Sequence, residues 1–203
     1  MLKRIISVFL VTVLFSFNTV VFSSDYSNHW AYEEVSYLSQ KGIMTGDEGG
    51  MRLDSPVKRA EFAKLVNKNF NLTKKSENIF SDINITQWFY DDILIAFGCG
   101  YLKGDGAYAN PEKYITRAEA AVMLSRLVNR SGLNKKYTFN DEALIPEWAK
   151  DAVNMMVELS VMTGYGDGTF KPSNTLTRAE AASILVPHRQ VHGARARFGT
   201  DVN

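Results

Sequence analysis

Apolar residues along the chain fall into two kinds of helical series that alternate. In one, Trp148, Ala149, Ala152, Val153, Met156 and Leu159 recur at the spacing of one helix face, and Trp30, Ala31, Val35 and Leu38 do the same earlier. In the other, Ala118, Ala121, Val122, Leu124, Leu127 and Val128 surround more than one stripe, which predicts a more deeply buried helix. The second series opens on one recurring unit: Lys58-Arg59-Ala60-Glu61, Thr116-Arg117-Ala118-Glu119 and Thr177-Arg178-Ala179-Glu180. The tryptophans that open the first series are 58 and 60 residues apart, and each precedes the arginine of its unit by 29 or 30 residues. Two markers that keep register through three copies define a tandem repeat of paired helices.

Between the helices each copy carries a short entry segment and a turn-rich loop. The entry is Phe80-Ser81-Asp82 in the second copy, Phe139-Asn140-Asp141 in the third, and a weaker Asp25 in the first. Glycines punctuate the end of the first helix at Gly42 and Gly46, then at Gly100 and Gly104; in the third copy Ser160 replaces the first of the pair and Gly164 remains. Thr116 with Glu119, and Thr177 with Glu180, have the spacing of a capping box, in which each side chain satisfies a backbone N–H at the helix start. Lys58 breaks that pattern in copy one, where Ser55-Pro56 offers a start one turn earlier. A two-helix repeat cannot bury itself. The expected fold is all-α, with three tandem helical repeats closing into a pseudo-threefold, three-pronged bundle around a central three-helix core. An open row of repeats is the alternative. The second helix is expected to run from Thr116 to about Asn129 in copy two, and only from Thr177 to about Val186 in copy three, because Pro187 follows.

The ends of the chain add a compartment. Lys3 and Arg4 precede an apolar run from Ile5 to about Phe17, and Val21-Phe22-Ser23 follow, the pattern of a signal peptide over residues 1–23. No integral membrane segment is expected once it is removed. Cys99 is the single cysteine, so the chain forms no internal disulfide and depends on its core. The formal net charge of +1 becomes −1 without Lys3 and Arg4. No basic face suggests nucleic acid. His188 and His192 lack the glutamate of a zinc helix, and the loop at Asp167 lacks the closing glutamate of a calcium hand, so neither metal nor other cofactor is expected. The expected units are repeats over 24–79, 80–138 and 139–187, then an irregular tail over 188–203.

The order of these fragments resembles the S-layer homology domain. Its carriers here are Trp148-Ala149 with Ala152, then Gly164-Tyr165-Gly166-Asp167-Gly168-Thr169-Phe170-Lys171-Pro172, then Leu176-Thr177-Arg178-Ala179-Glu180. The likeness extends over about residues 25 to 186. It implies a non-catalytic module, exported and held on the cell wall by an anionic secondary cell-wall polymer linked to peptidoglycan, often one bearing a pyruvylated amino sugar. It also implies grooves between repeats and a ligand contact for the arginine of each unit. Copies one and two depart from the loop pattern, with Asp47-Glu48-Gly49-Gly50-Met51-Arg52 and with Ala109 and Asn110 at the aromatic and lysine positions, so the grooves need not be equally competent.

The candidate ligand residues are therefore Arg59, Arg117 and Arg178, with Trp30, Trp88, Trp148, Gly166, Asp167 and Lys171. An anion beside each arginine could also meet free N–H groups of the helix start. The competing role for the arginines is a salt bridge to the neighbouring repeat. A tryptophan opening an amphipathic helix can anchor the core or stack on a sugar ring. Gly166, Asp167 and Lys171 can instead be turn and surface residues. Two other functions remain open: a wall-glycan hydrolase built on paired carboxylates, and a structural subunit of a surface lattice. The tandem design favours multivalent binding by a monomer.

Overall fold

The computed structural model describes residues 26–47, 49–128 and 136–186. The expected signal peptide and the chain after Pro187 lie outside the described residues. Among the described residues six α-helices form, two per copy: α1 (Tyr32–Gln40) and α2 (Arg59–Asn69), α3 (Tyr90–Gly98) and α4 (Arg117–Ser125), α5 (Lys150–Glu158) and α6 (Arg178–Leu185). Two short 3-10 turns, Glu142–Leu144 and Glu147–Ala149, lead into α5. The described residues contain isolated bridges and no β-strand.

Helices pair across copies. The first helix of one copy lies on the second helix of the copy before it, α3 on α2 and α5 on α4, and α1 lies on α6. The contacts of the third copy thus return to the first. Three residues just before the arginines join the copies in a ring of backbone hydrogen bonds. Val57 N–H donates to Leu176 O at 2.9 Å, Leu176 N–H to Ile115 O at 2.9 Å, and Ile115 N–H to Val57 O at 3.1 Å. All three side chains are fully buried. Such a ring satisfies backbone groups that burial would otherwise leave costly.

The capping boxes of α4 and α6 form as the spacing predicts: Glu119 N–H meets Thr116 Oγ1 at 3.2 Å and Glu180 N–H meets Thr177 Oγ1 at 3.1 Å. In copy one, α2 starts at Arg59 rather than at Ser55-Pro56. Glu61 still accepts from Lys58 N–H at 2.8 Å. Ser55 cannot open the helix, because its carbonyl is taken by Arg178 N–H of copy three at 3.0 Å. The expected length contrast between α4 and α6 is nearly absent: α4 ends at Ser125, not Asn129, and has 9 residues against 8. Beyond Ser125, Leu127 N–H and Val128 N–H turn back onto Leu124 O and Ser125 O.

Candidate functional site

The loops of copies two and three are held by an aspartate of their own entry segment. Asp82 accepts from Ala109 N–H and Asn110 N–H at 2.8 and 2.7 Å, and Asp141 accepts from Phe170 N–H and Lys171 N–H at 2.8 Å each. Asn110 and Lys171 have left-handed φ of 55°, and Arg52 of copy one has 47°. In copies two and three the clamp offsets the cost of that conformation in a residue with a Cβ. It turns loop carbonyls toward the neighbouring copy, where they meet the helix start. Arg59 N–H and Ala60 N–H donate to Lys113 O and Pro111 O, Arg117 and Ala118 to Asn174 O and Pro172 O, and Arg178 and Ala179 to Ser55 O and Leu53 O.

The first free N–H groups of α2, α4 and α6 are therefore already used. That corrects the expectation that a bound anion would meet them: the neighbouring copy takes their place. The arginine side chains repeat the theme. Arg117 donates from Nε to Phe170 O at 2.9 Å and from Nη2 to Thr163 O at 2.8 Å. Arg178 donates to Met51 O and Thr45 O at 2.9 Å each. Arg59 donates to Ala109 O at 3.0 Å and Lys103 O at 2.7 Å. Each guanidinium thus clamps the loop of the next copy by two backbone carbonyls. Its remaining nitrogen, Nη1, faces a carboxylate of that copy in two cases, Glu180 at 3.7 Å from Arg117 and Glu61 at 4.0 Å from Arg178. In the third case Arg59 Nη1 meets Met123 Sδ at 3.8 Å. Arg117 and Arg178 are buried and Arg59 is half-buried. Burial lowers the pKa of Arg59 and Arg178 from the usual guanidinium value.

Three grooves open beside these clamps, each assembled from all three copies. The Arg59 groove, about 270 Å³, has Glu119 from copy two and Trp148 from copy three. The Arg117 groove, about 430 Å³, has Glu180 and Trp30. The Arg178 groove, about 200 Å³, has Glu61 and Trp88. Trp30, Trp88 and Trp148 are 62%, 53% and 60% exposed, so they wall the grooves. The core position falls to the next residue: Ala31, Phe89 and Ala149 are at most 2% exposed. The other three candidates stand apart. Gly166, Asp167 and Lys171 occupy the turn beyond the Arg117 groove and do not line it. Asp167 is held at a pKa of about 2 by the Thr169 hydroxyl and N–H and by the Lys171 ammonium at 3.0 Å.

Several groove residues carried no mark in the spacing. Tyr165 donates its hydroxyl to Glu180 at 2.5 Å, and its ring lies 4.6 Å from the Arg117 guanidinium carbon and 4.3 Å from Lys171 Nζ. Lys64 stands 5.1 Å over the Trp88 ring. Lys103, Lys113 and Arg126 add charge to the Arg59 groove. The signal for the last would have been a comparison of copies: Arg126 follows Arg117 by nine residues, where copy one has Lys68 and copy three Pro187. No group of three His, Cys, Asp or Glu able to hold a metal is present among the described residues, and no helix among them is long and apolar enough to cross a membrane.

Known proteins give this frame a family. The S-layer homology domain model matches at residues 24–63, 79–121 and 138–182, one match per copy. The exoglucanase XynX of Acetivibrio thermocellus is 30% identical over 80% of this chain and 16% of its own length. The S-layer protein sap of Bacillus anthracis is 30% identical over 84% of this chain and 21% of its own length. The cellulosome-anchoring protein of Acetivibrio thermocellus is 37% identical over 58% of this chain and 28% of its own length. The chain thus spans under a third of each of these relatives. The family and these relatives together mark the three copies as a cell-surface anchoring module. The chain belongs to the S-layer homology domain family.

Proposed function

We propose that the chain is a non-catalytic attachment module, exported to the cell surface and held on the wall by an anionic polysaccharide linked to peptidoglycan. The carrying observation is the trio of open grooves, each pairing a guanidinium with an exposed tryptophan. An indole face suits the apolar side of a sugar ring, and a guanidinium suits a carboxylate or phosphate on it. A pyruvylated amino sugar presents both features, which makes it the polymer component of choice. Three grooves in pseudo-threefold arrangement on one monomer would act together, raising avidity beyond any single site.

The glutamates argue against hydrolysis. Glu61, Glu119 and Glu180 each accept the N–H of the residue before their helix, at 2.8, 2.9 and 2.9 Å. A carboxylate committed to its own helix start is poorly placed to carry protons to a substrate. The test is a pull-down of the full chain on purified sacculi, before and after the non-peptidoglycan polymers are stripped. Retention on polymer-bearing sacculi and release from stripped ones is expected. Equal retention on both would overturn the polymer as ligand.

A further inference from the structure

The three grooves share a frame but not a charge. Among the described residues around Arg59 stand four cations, Arg59, Lys103, Lys113 and Arg126, against Asp105 and Glu119, an excess of two, with Lys113 paired to Glu119 at 2.9 Å. Around Arg117 the one cation among the described residues is balanced by Glu180. Around Arg178 the excess is one, and its cations are engaged: Arg52 with Asp47 at 2.7 Å, Arg178 with Glu61 and Lys64 with the Trp88 ring.

We infer that the anionic group is captured in the Arg59 groove, and that Arg126 is the residue that selects it, an inference that rests on the anionic-polymer reading. Arg126 is exposed and, among the described residues, engages only Nη1, on Tyr101 O at 3.1 Å. Its Nε and Nη2 make no hydrogen bond among the described residues, and neither does Lys103 Nζ. Arg126 lines the same groove as Arg59, and its like charge adds to burial in lowering the Arg59 pKa. An oxyanion placed between the two guanidiniums would relieve that repulsion and accept the unused donors. Trp148, in the same groove, offers a face for the ring that carries the anion. The ligand class is a phosphate or carboxylate borne on a sugar. Among the described residues the Arg117 groove has aromatic faces at Trp30 and Tyr165 and no spare charge, so it suits neutral ring surface instead.

The chain supplies its own reporters, one tryptophan per groove. The experiment follows the three indole N–H resonances of the nitrogen-15-labelled full chain, assigned with Trp→Phe variants, during titration with galacturonate, inorganic phosphate and neutral galactose. The Trp148 resonance should move with an anion at the lowest concentration, while those of Trp30 and Trp88 stay. Galacturonate acting before phosphate would identify a sugar carboxylate; the reverse would identify a phosphate. Arg126→Gln should weaken the Trp148 response about tenfold, the loss of one charge-assisted hydrogen bond. Unmoved Trp30 and Trp88 resonances in the same spectrum certify the fold of the variant. Equal movement of all three indoles, an equal response to galactose, or an unchanged response in Arg126→Gln would overturn the inference. Sacculus binding separates it from the broader reading: an intact Trp148 response without wall retention removes the wall polymer and leaves the anion site standing.

Discussion

The Arg59 and Arg117 grooves are built by the same steps and end with different chemistry. In both, an arginine at the first helical position clamps two carbonyls of the next copy, and the glutamate facing it closes the capping box of that next copy's second helix. The glutamates then diverge. Glu119 takes the Lys113 ammonium at 2.9 Å, whereas Glu180 takes the Tyr165 hydroxyl and the edge of Arg117. Around the first, charge accumulates; around the second, it cancels against aromatic surface. The difference teaches that the repeated unit makes the joint between copies, and that residues outside the unit make each joint a different receptor.

That division is broken most severely through the joint. Arg117→Ala leaves two loop carbonyls without their donor in a buried setting, and should destabilise the protein by about 3–5 kcal/mol. Arg117→Lys should recover little, because one ammonium cannot replace a planar fork directed at Phe170 O and Thr163 O. Arg126→Gln, on an exposed side chain, should change stability by no more than about 0.5 kcal/mol. Denaturant unfolding of the three variants checks the contrast. A near-neutral Arg117→Ala would return that arginine to a role in ligand contact alone.

A second contrast lies within one loop. A Cβ on Gly164 would stand 2.7 Å from Phe139 Cε1 and 2.9 Å from Thr169 O, while one on Gly166 would meet nothing. Gly164→Ala should therefore cost about 1–3 kcal/mol, as overpacking does, and Gly166→Ala should be nearly neutral. Thermal melts of the pair check it. An equal cost at both would mean that the turn, rather than the close approach of Phe139, sets the loop.

Much of this architecture is legible in the chain because it is local. Helix periodicity and the Thr-to-Glu spacing are properties of neighbouring residues, and the threefold register is carried by recurring markers 58 and 60 residues apart. The roles of side chains that cross between copies are not. The sequence marks Arg117 as special, but its partners Phe170 O and Thr163 O lie 53 and 46 residues away, and backbone carbonyls have no residue signature. The tryptophans illustrate the same limit. A helix period locates them at the start of an apolar face, yet Ala31, Phe89 and Ala149 fill the core beside them and leave the indoles outside. Asp82 and Asp141 could be seen as recurring entry residues, but their hold on the loops appears only once the fold brings the segments together.

Proton linkage sharpens the comparison of the two glutamates at opposite ends of the pH scale. Burial alone pushes the Glu119 carboxyl up, but the Thr116 N–H and the Lys113 ammonium outweigh it, and its pKa is lowered. Its contribution is present above the ordinary glutamate value and is lost as pH falls through the folded value. Tyr165 is raised to about 12 by burial and by its bond to Glu180. Its contribution is present below the ordinary phenol value of about 10 and is lost as pH climbs toward 12. Glu119→Gln should flatten the acid limb of a stability-against-pH curve, and Tyr165→Phe the alkaline limb. Each variant leaving its own limb unchanged would remove that group from the linkage.

The smallest expected effect concerns the turn after the first helix of each copy, and it is a gain. Gly42, Gly100 and Ser160 occupy this position with left-handed φ of 66°, 79° and 53°. Glycine adopts that conformation without a Cβ penalty, which is why it dominates just past helix ends. Serine bears the penalty, of order 1–2 kcal/mol, but its unfolded chain is less free than glycine's, which returns part of it. Ser160→Gly should therefore stabilise by about 0.5–1 kcal/mol, a rise of roughly 2–4 °C in Tm at the upper end for a chain of this size. Gly100→Ser should lose a similar amount. Ser160 also lines the Arg117 groove, so the same variant tests whether its hydroxyl matters there. A higher Tm with unchanged Trp30 resonance would place the residue in the backbone of the turn alone. A lower Tm would show that the serine side chain makes a contribution larger than the strain it imposes.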